Sequence, residues 1–182
     1  MNIIKRHLPD SLYSKYPPKP LGSVVHFVSN VNINPADPFN LDDIIQIFHT
    51  YKVSVHYLID RDGTVYELVP TNHQAWHAGK SIMNGRKGCN AFTFGVELVS
   101  TGQPFNGEPA YPLAQINACI DLHLDLMQQH GITPRWIQGH DQVRKNWNDK
   151  YPNQRASVKV DPGPHFPWTD FKQTLYDQAR HL

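Results

Sequence analysis

Cysteine is scarce in this sequence, since Cys89 and Cys119 are its two cysteines among 182 residues. Two thiols are too few for a disulfide framework, and no feature of the sequence marks an oxidising compartment. We therefore expect two free cysteines, while a disulfide between them stays the alternative.

The sequence also lacks an excess of charge of either sign, because 17 Lys and Arg residues face 16 Asp and Glu residues. This balance gives no basis for nucleic-acid binding or for a polybasic membrane patch. The basic residues near the N-terminus precede no apolar segment, so we expect neither a secretory signal nor a membrane span. The protein is therefore expected in the cytoplasm, or released from it without a conventional signal peptide.

What is present is the composition of a globular protein. Apolar residues make up 40% of the sequence and charged residues 18%, which argues against disorder. A length of 182 residues suits one domain with a proper core. Tyr-Pro-Pro-Lys-Pro at 16–20 predicts that residues 1–20 form an extended arm without a core pattern. The folded domain then spans 21–182, and we expect it to be a monomer.

Apolar segments with β-branched residues predict strands at 23–28, 54–59, 64–69 and 92–100. The second and third of these flank a turn at 60–63 and form a hairpin. Strands and helices otherwise alternate along the chain. We therefore predict an α/β fold, a single domain with a mixed β-sheet flanked by helices.

Three helices are expected. The first follows Asn40, which is a good N-cap. The longest spans 113–130, with a predicted buried stripe of Leu113, Ile116, Ile120, Leu124 and Met127. The last runs over 169–179 with Thr169 as its N-cap. Residues 141–157 are polar and are expected to be irregular.

Two ionisable residues lie inside predicted strands. His26 is either a core histidine with satisfied hydrogen bonds or a metal ligand. Glu97 interrupts a very apolar strand, where a carboxylate is costly unless it is paired, binds a metal or points to water from an edge. Trp76 and His77 lie in a glycine-containing loop, either as a binding rim or as packing at the edge of the core.

The segment 157–168 places a charged pair before a rigid turn, because three prolines and a glycine exclude a helix there. Lys159 and Asp161 are two residues apart, so in extended backbone their side chains share a face. Catalytic zinc usually takes three protein ligands and leaves one position for water. His26, His140 and Asp161 would supply such a set, although their spacing is equally that of unrelated core and loop residues.

Six short motifs follow one another along the chain. They are Val-Val-His-Phe at 24–27, His-Tyr-Leu-Ile-Asp-Arg-Asp-Gly-Thr-Val at 56–65, Ala-Trp-His-Ala-Gly at 75–79, Phe-Gly-Val-Glu-Leu at 94–98, Gly-His at 139–140 and Lys-Val-Asp-Pro-Gly-Pro at 159–164. In this order they resemble the zinc-dependent N-acetylmuramoyl-L-alanine amidases of the AmpD and phage-lysozyme type, relatives of the peptidoglycan recognition proteins. The resemblance covers most of the chain.

The resemblance implies one zinc ion per chain, held by His26, His140 and Asp161. It implies that Lys159 stabilises charge on the reacting carbonyl oxygen and that Glu97 assists the attacking water. Zinc chemistry suits this reaction, since an amide resists neutral water.

The implied substrate is peptidoglycan or a muropeptide, cleaved at the amide between N-acetylmuramic acid and L-alanine, with Trp76 and His77 in contact with it. Two features depart from the family pattern: Phe27 replaces a second histidine, and the segment between His140 and Lys159 is long. A non-catalytic peptidoglycan-binding module and a zinc hydrolase of another amide stay open as alternatives. So do three settings, namely cell-wall recycling, phage lysis and delivery as an effector.

Overall fold

Helices cover both faces of a six-stranded sheet in the computed structural model of this protein, which describes residues 2–16 and 19–180. The strands in these residues are β1 (Ile3–Lys5), β2 (Tyr13–Ser14), β3 (Gly22–Val28), β4 (Tyr57–Ile59), β5 (Val65–Glu67), β6 (Gln74–Ala75), β7 (Ile82–Met83), β8 (Arg86–Lys87), β9 (Thr93–Val99) and β10 (Ile137–Gly139). The α-helices are α1 (Leu41–Tyr51), α2 (Leu113–His130), α3 (His140–Lys150) and α4 (Trp168–Ala179).

The strand order in the main sheet is β1-β5-β4-β9-β3-β10. Strands β4, β9, β3 and β10 run parallel, while β4 and β5 form the predicted antiparallel hairpin. This mixed sheet confirms the predicted α/β fold. Because the four parallel strands end at the same edge, residues near their carboxyl ends are brought together there.

Each face of the sheet has its own apolar core. On one face, Val25 and Val96 belong to a buried cluster with Leu122 of α2 and Phe171 of α4. On the other face, α1 packs against β4 and β9 through a cluster that includes Phe48. Helix α3 packs on the same side beside β3 and β10. Ile47 and Phe48 of α1 and His140 of α3 line one open cavity on this second face.

The N-terminal segment differs from the predicted arm without core residues. Strand β1 pairs in parallel with β5, and Leu8, Leu12 and Tyr13 are buried in the cluster that contains α1. These contacts were not predicted, because the proline-rich composition at 16–20 indicated extended backbone without core residues. Pro17 and Pro18 themselves lie outside the described residues.

The helices also required corrections. Residues 140–150 form α3, where an irregular segment was expected. Helix α2 has the predicted bounds, but Leu113 is 74% exposed, and the buried side includes Gln115 and His123. Helix α4 begins at Trp168, so Thr169 lies inside the helix and is not its N-cap. Both cysteines are free, as expected, and both are buried. No helix of the described residues has the length and hydropathy needed to cross a lipid bilayer.

Candidate metal centre and catalytic site

The candidate ligands meet at the carboxyl edge of the parallel strands. His26 lies near the end of β3, and His140 is the first residue of α3, directly after β10. Asp161 lies between α3 and α4, where its carbonyl oxygen accepts a hydrogen bond of 2.9 Å from the Asp141 amide. Three segments that are distant in sequence thus supply one cluster of two imidazoles and one carboxylate.

Three donor atoms of this cluster form a nearly equilateral triangle. The distance from His26 Nδ1 to His140 Nδ1 is 3.1 Å, and each of these nitrogens lies 3.0 Å from Asp161 Oδ2. A tetrahedral zinc with bonds of about 2.0–2.1 Å holds its ligands about 3.3 Å apart. The donor types and their spacing therefore fit a zinc ion.

The hydrogen bonds of His77 determine which ring nitrogen of His26 is unprotonated and directs its lone pair toward the other two donor atoms. His77 Nε2 lies 3.4 Å from both the carbonyl oxygen and the hydroxyl of Thr93, whose own proton goes to the Cys89 carbonyl. Both Thr93 atoms can only accept, so His77 Nε2 carries a proton and its Nδ1 accepts from His26 Nε2 at 3.1 Å. His26 Nδ1 is then unprotonated, as a metal ligand must be.

The protonation states of His26 and Asp161 favour cation binding. Burial lowers the pKa of His26 to about 4, against the opposing effect of Asp161, so this imidazole stays neutral. Burial opposes ionisation of Asp161, but the close contacts of its carboxylate with the His140 and His26 rings outweigh burial and lower the pKa of the carboxyl group. A carboxylate and neutral imidazoles are the ligand forms that zinc requires. His140 Nε2 is buried without a hydrogen-bond partner in the described residues.

Glu97 and Lys159 lie beside the ligand cluster. Glu97 pairs in register with His26 across β9 and β3, so both side chains point to the same face of the sheet. Burial raises the pKa of Glu97 well above its usual value, and nearby Asp161 adds to this, while Lys159 opposes it. Within the described residues the carboxyl group of Glu97 makes no hydrogen bond or ion pair.

All five residues line one open cavity of about 420 Å³. Its other walls are largely apolar and include Phe27, Ile47, Val53, Val158 and Val160. Such a cavity suits a ligand with apolar groups next to the polar groups that react.

The two residues of the predicted rim occupy different places. His77 lines the cavity, but it also contacts His26, so it supports a candidate ligand. Trp76 does not line the cavity. Its indole nitrogen donates to Ser14 Oγ at 3.1 Å, and its backbone amide donates to Ser54 Oγ at 2.9 Å. Trp76 therefore ties the N-terminal segment to the site loop.

Gly95, Arg144 and Asn148 were not among the predicted site residues. A Cβ atom on Gly95 would lie 2.6 Å from the His77 ring, so glycine makes room for that ring. A glycine inside a strand is a known sign of close approach and could have been noticed. Arg144 and Asn148 belong to α3, the helix that was not predicted.

Comparison with known proteins agrees with this geometry. Residues 16–164 match the protein-family model described as N-acetylmuramoyl-L-alanine amidase. The chain belongs to this amidase family.

Individual relatives support the assignment. The chain is 31% identical over 168 residues to 1,6-anhydro-N-acetylmuramyl-L-alanine amidase AmpD of Haemophilus influenzae, which covers 84% of this chain and 80% of that protein. A crystal structure of an AmpD derivative superposes with a TM-score of 0.69 at 29% identity, covering 94% of each chain. AmiD from Escherichia coli, in complex with anhydro-N-acetylmuramic acid-L-Ala-D-gamma-Glu-L-Lys, has a TM-score of 0.62 at 27% identity, covering 93% of this chain and 61% of that one.

Proposed function

We propose that this amidase binds one Zn²⁺ through His26, His140 and Asp161 and hydrolyses the amide between N-acetylmuramic acid and L-alanine of a muropeptide. The observation that carries the proposal is the convergence of three donor atoms within 3.0–3.1 Å of one another, in a cavity shared with Glu97 and Lys159. Two neutral imidazoles and a carboxylate leave a bound divalent cation with net positive charge. When bound, zinc lowers the pKa of water toward neutrality and polarises a carbonyl group.

Glu97 is the proposed proton carrier. It accepts a proton from the attacking water and passes it to the nitrogen of the departing L-alanine, so that the amine leaves in a neutral form. Its burial suits this work, because a carboxylate with a raised pKa is a stronger base than an exposed one.

Lys159 is the proposed oxyanion stabiliser. Attack on the amide carbon places negative charge on the former carbonyl oxygen, and an ammonium group beside that oxygen stabilises the charge as it forms. Lys159 lines the cavity together with the ligands. Since the charge is absent from the bound substrate, Lys159 should affect the rate constant more than substrate binding.

The lactyl and alanyl groups place a methyl on each side of the scissile amide, and the apolar walls of the cavity match them. The AmpD relative is named for a 1,6-anhydro substrate and the AmiD structure holds an anhydromuropeptide, so this form is the first to test. Soluble substrate of this kind would place the enzyme in recycling of cell-wall fragments. Release of peptides from intact sacculi would place it in lysis.

The test is product analysis by mass spectrometry after incubation with anhydro-N-acetylmuramyl tetrapeptide and, separately, with sacculi. We expect the sugar acid and a peptide with a free L-alanine amine. Elemental analysis should find about one zinc per chain, and chelation should abolish activity that added Zn²⁺ restores.

Asp161→Ala serves as the matched inactive variant, with loss of both zinc and cleavage. Full activity of protein shown to be free of metal would contradict the proposal. Binding of the muropeptide by zinc-loaded protein without cleavage would instead indicate a binding module, and cleavage of another amide only would indicate a different hydrolase.

A further inference from the structure

The side of α3 that faces the protein is polar apart from Val143. His140, Arg144 and Asn148 recur every fourth residue, and their exposed fractions are 4%, 7% and 6%. A buried guanidinium or amide group is stable only when protein groups satisfy its polar atoms. The partners of Arg144 and Asn148 therefore indicate what this side of the helix holds.

Most of these partners belong to the segment that leads to Lys159. Asn148 binds the backbone of Ala156 twice, since its Oδ1 accepts from the amide at 2.8 Å and its Nδ2 donates to the carbonyl at 3.1 Å. Arg144 Nη1 donates to the carbonyl of Ser157 at 2.9 Å. Arg144 Nη2 donates to the carbonyl of Ala78, next to His77, at 3.3 Å.

The same helix also holds the far end of this segment. The Asp141 amide donates to the Asp161 carbonyl, and His140 Nδ1 contacts the Asp161 carboxylate. Residues 156, 157 and 161 are therefore attached to α3, and Lys159 lies between the attachment points.

Apolar packing offers little support to the rest of the segment. Residues 156–161 contain no helix or strand, and Val158 and Val160 are 74% and 64% exposed. Lys159 itself makes no hydrogen bond within the described residues. Its position beside Glu97 and the ligands therefore depends on the attachment of its neighbours to α3.

We propose that Arg144 and Asn148 are positioning residues that hold segment 156–161 so that the Lys159 ammonium faces the reacting carbonyl. This inference rests on the proposed role of Lys159 as oxyanion stabiliser. The alternative is that the two side chains only stabilise the fold. The two cases differ in kinetics, because a positioning residue acts through Lys159 and becomes dispensable when the ammonium group is absent.

The test is a double-mutant cycle with zinc-loaded full-length protein. Arg144→Ala and Asn148→Ala are each made alone and together with Lys159→Met, and single-turnover rate, KM, zinc content and Tm are measured. A displacement of about 1 Å at a catalytic group costs up to about 10²-fold. We expect each single variant to lose about 10- to 100-fold in rate with zinc retained and KM within about threefold. In the Lys159→Met background the same changes should cost less than about threefold.

Two further variants sharpen the cycle. Arg144→Lys keeps the charge, but a single ammonium group cannot donate to both carbonyl groups as the guanidinium does. Its rate should therefore lie between those of Arg144→Ala and the wild type. Lys150→Ala, on an exposed position of the same helix, should behave as wild type. If Arg144→Ala does not fold, Arg144→Lys and Asn148→Ala complete the cycle.

The outcomes separate the two proposals. The positioning role alone would be overturned if Arg144→Ala and Asn148→Ala reduced the rate by the same factor in the Lys159→Met background as in the wild-type background. A loss of zinc that accounts for the lost rate would overturn it as well. A Lys159→Met enzyme within a few-fold of wild type would overturn the proposed role of Lys159, and the positioning role with it.

Discussion

Replacement of Gly95 by alanine should disturb the candidate metal site without touching a ligand. Gly95 lies in β9 directly below the His77 ring, and a Cβ at this position would lie 2.6 Å from His77 Cγ and 2.9 Å from Cδ2. Ordinary contact begins at 3.4 Å, so the ring must retreat by about 0.8 Å. Gly95 is an extended strand residue, so alanine adds no backbone strain.

The displacement is large compared with the tolerance of the hydrogen bond that His77 makes. His77 Nδ1 lies 3.1 Å from His26 Nε2, and a contact of about 3.6 Å is no longer a hydrogen bond. Loss of a partner that orients a metal-bound histidine typically costs 10- to 100-fold in metal affinity. We therefore expect Gly95→Ala to bind zinc about 10- to 100-fold more weakly.

Gly95→Ala should also lower the free energy of unfolding. Insertion of a methyl group into a packed region costs about 1–3 kcal/mol, and 1 kcal/mol lowers the Tm of a protein of this size by about 2–4 °C. The variant should therefore remain folded at 25 °C with a Tm lower by several degrees. Zinc affinity is measured by titration of metal-free protein in competition with a chromophoric chelator.

The control is the double variant Gly95→Ala/His77→Ala. Removal of the imidazole makes room for the new methyl group, so the double variant should bind zinc as His77→Ala does. Wild-type zinc affinity of Gly95→Ala would refute this reasoning. So would a double variant whose loss equals the product of the two single losses, because the two changes would then act independently.

Three other predictions follow from the structure. Lys159→Met should keep zinc, Tm and substrate binding while losing about 10²–10³-fold in single-turnover rate, and a loss of only a few-fold would reduce Lys159 to a surface residue. Burial lowers the pKa of His123 to about 4, so its contribution to stability is present above about pH 6.5 and is lost as pH falls toward 4. Over this pH range, the free energy of unfolding should drop by roughly 3 kcal/mol less in His123→Gln than in wild type. An equal pH dependence of the unfolding free energy in the two proteins would contradict the lowered pKa of His123. Leu12→Ala should lose about 2–5 kcal/mol in denaturant unfolding, against little for the half-exposed Ile4→Ala, if the N-terminal segment is part of the core.

The sequence predicted the elements whose apolar residues follow a regular period. The hairpin of β4 and β5, the capping of α1 by Asn40 and the bounds of α2 at Leu113 and His130 all appear in the structure. These features depend on neighbouring residues, so a single stretch of sequence carries the whole signal.

Helix α3 escaped prediction because its buried side is made of histidine, arginine and asparagine. Val143 is its one buried apolar residue. Hydrophobic periodicity cannot reveal such a helix, since its stability depends on carbonyl groups at 78, 156 and 157 that lie elsewhere in the chain. The same limit applies to α2, where Gln115 donates to the carbonyls of Ile59 and Val99 and so turns a polar position inward.

The histidines show why the candidate ligands could be assigned only with both the family resemblance and the three-dimensional structure. His56 and His123 are as buried as His26, but each has protein partners for both ring nitrogens. His56 donates to the His73 carbonyl and accepts from the Gly95 amide, and His123 donates to the Cys119 carbonyl and accepts from the Ser23 hydroxyl.

A histidine satisfied in this way has no lone pair left for a metal. His26 differs in one atom. Its Nε2 donates a hydrogen bond to His77, but within the described residues its Nδ1 has no donor from a protein backbone or hydroxyl group and faces another imidazole and a carboxylate. That difference depends on the partners of the ring and not on its burial or its place in a strand, which is why sequence pattern alone left His26 undecided. It also means that the assignment depends on His77, and therefore on the space that Gly95 provides for it.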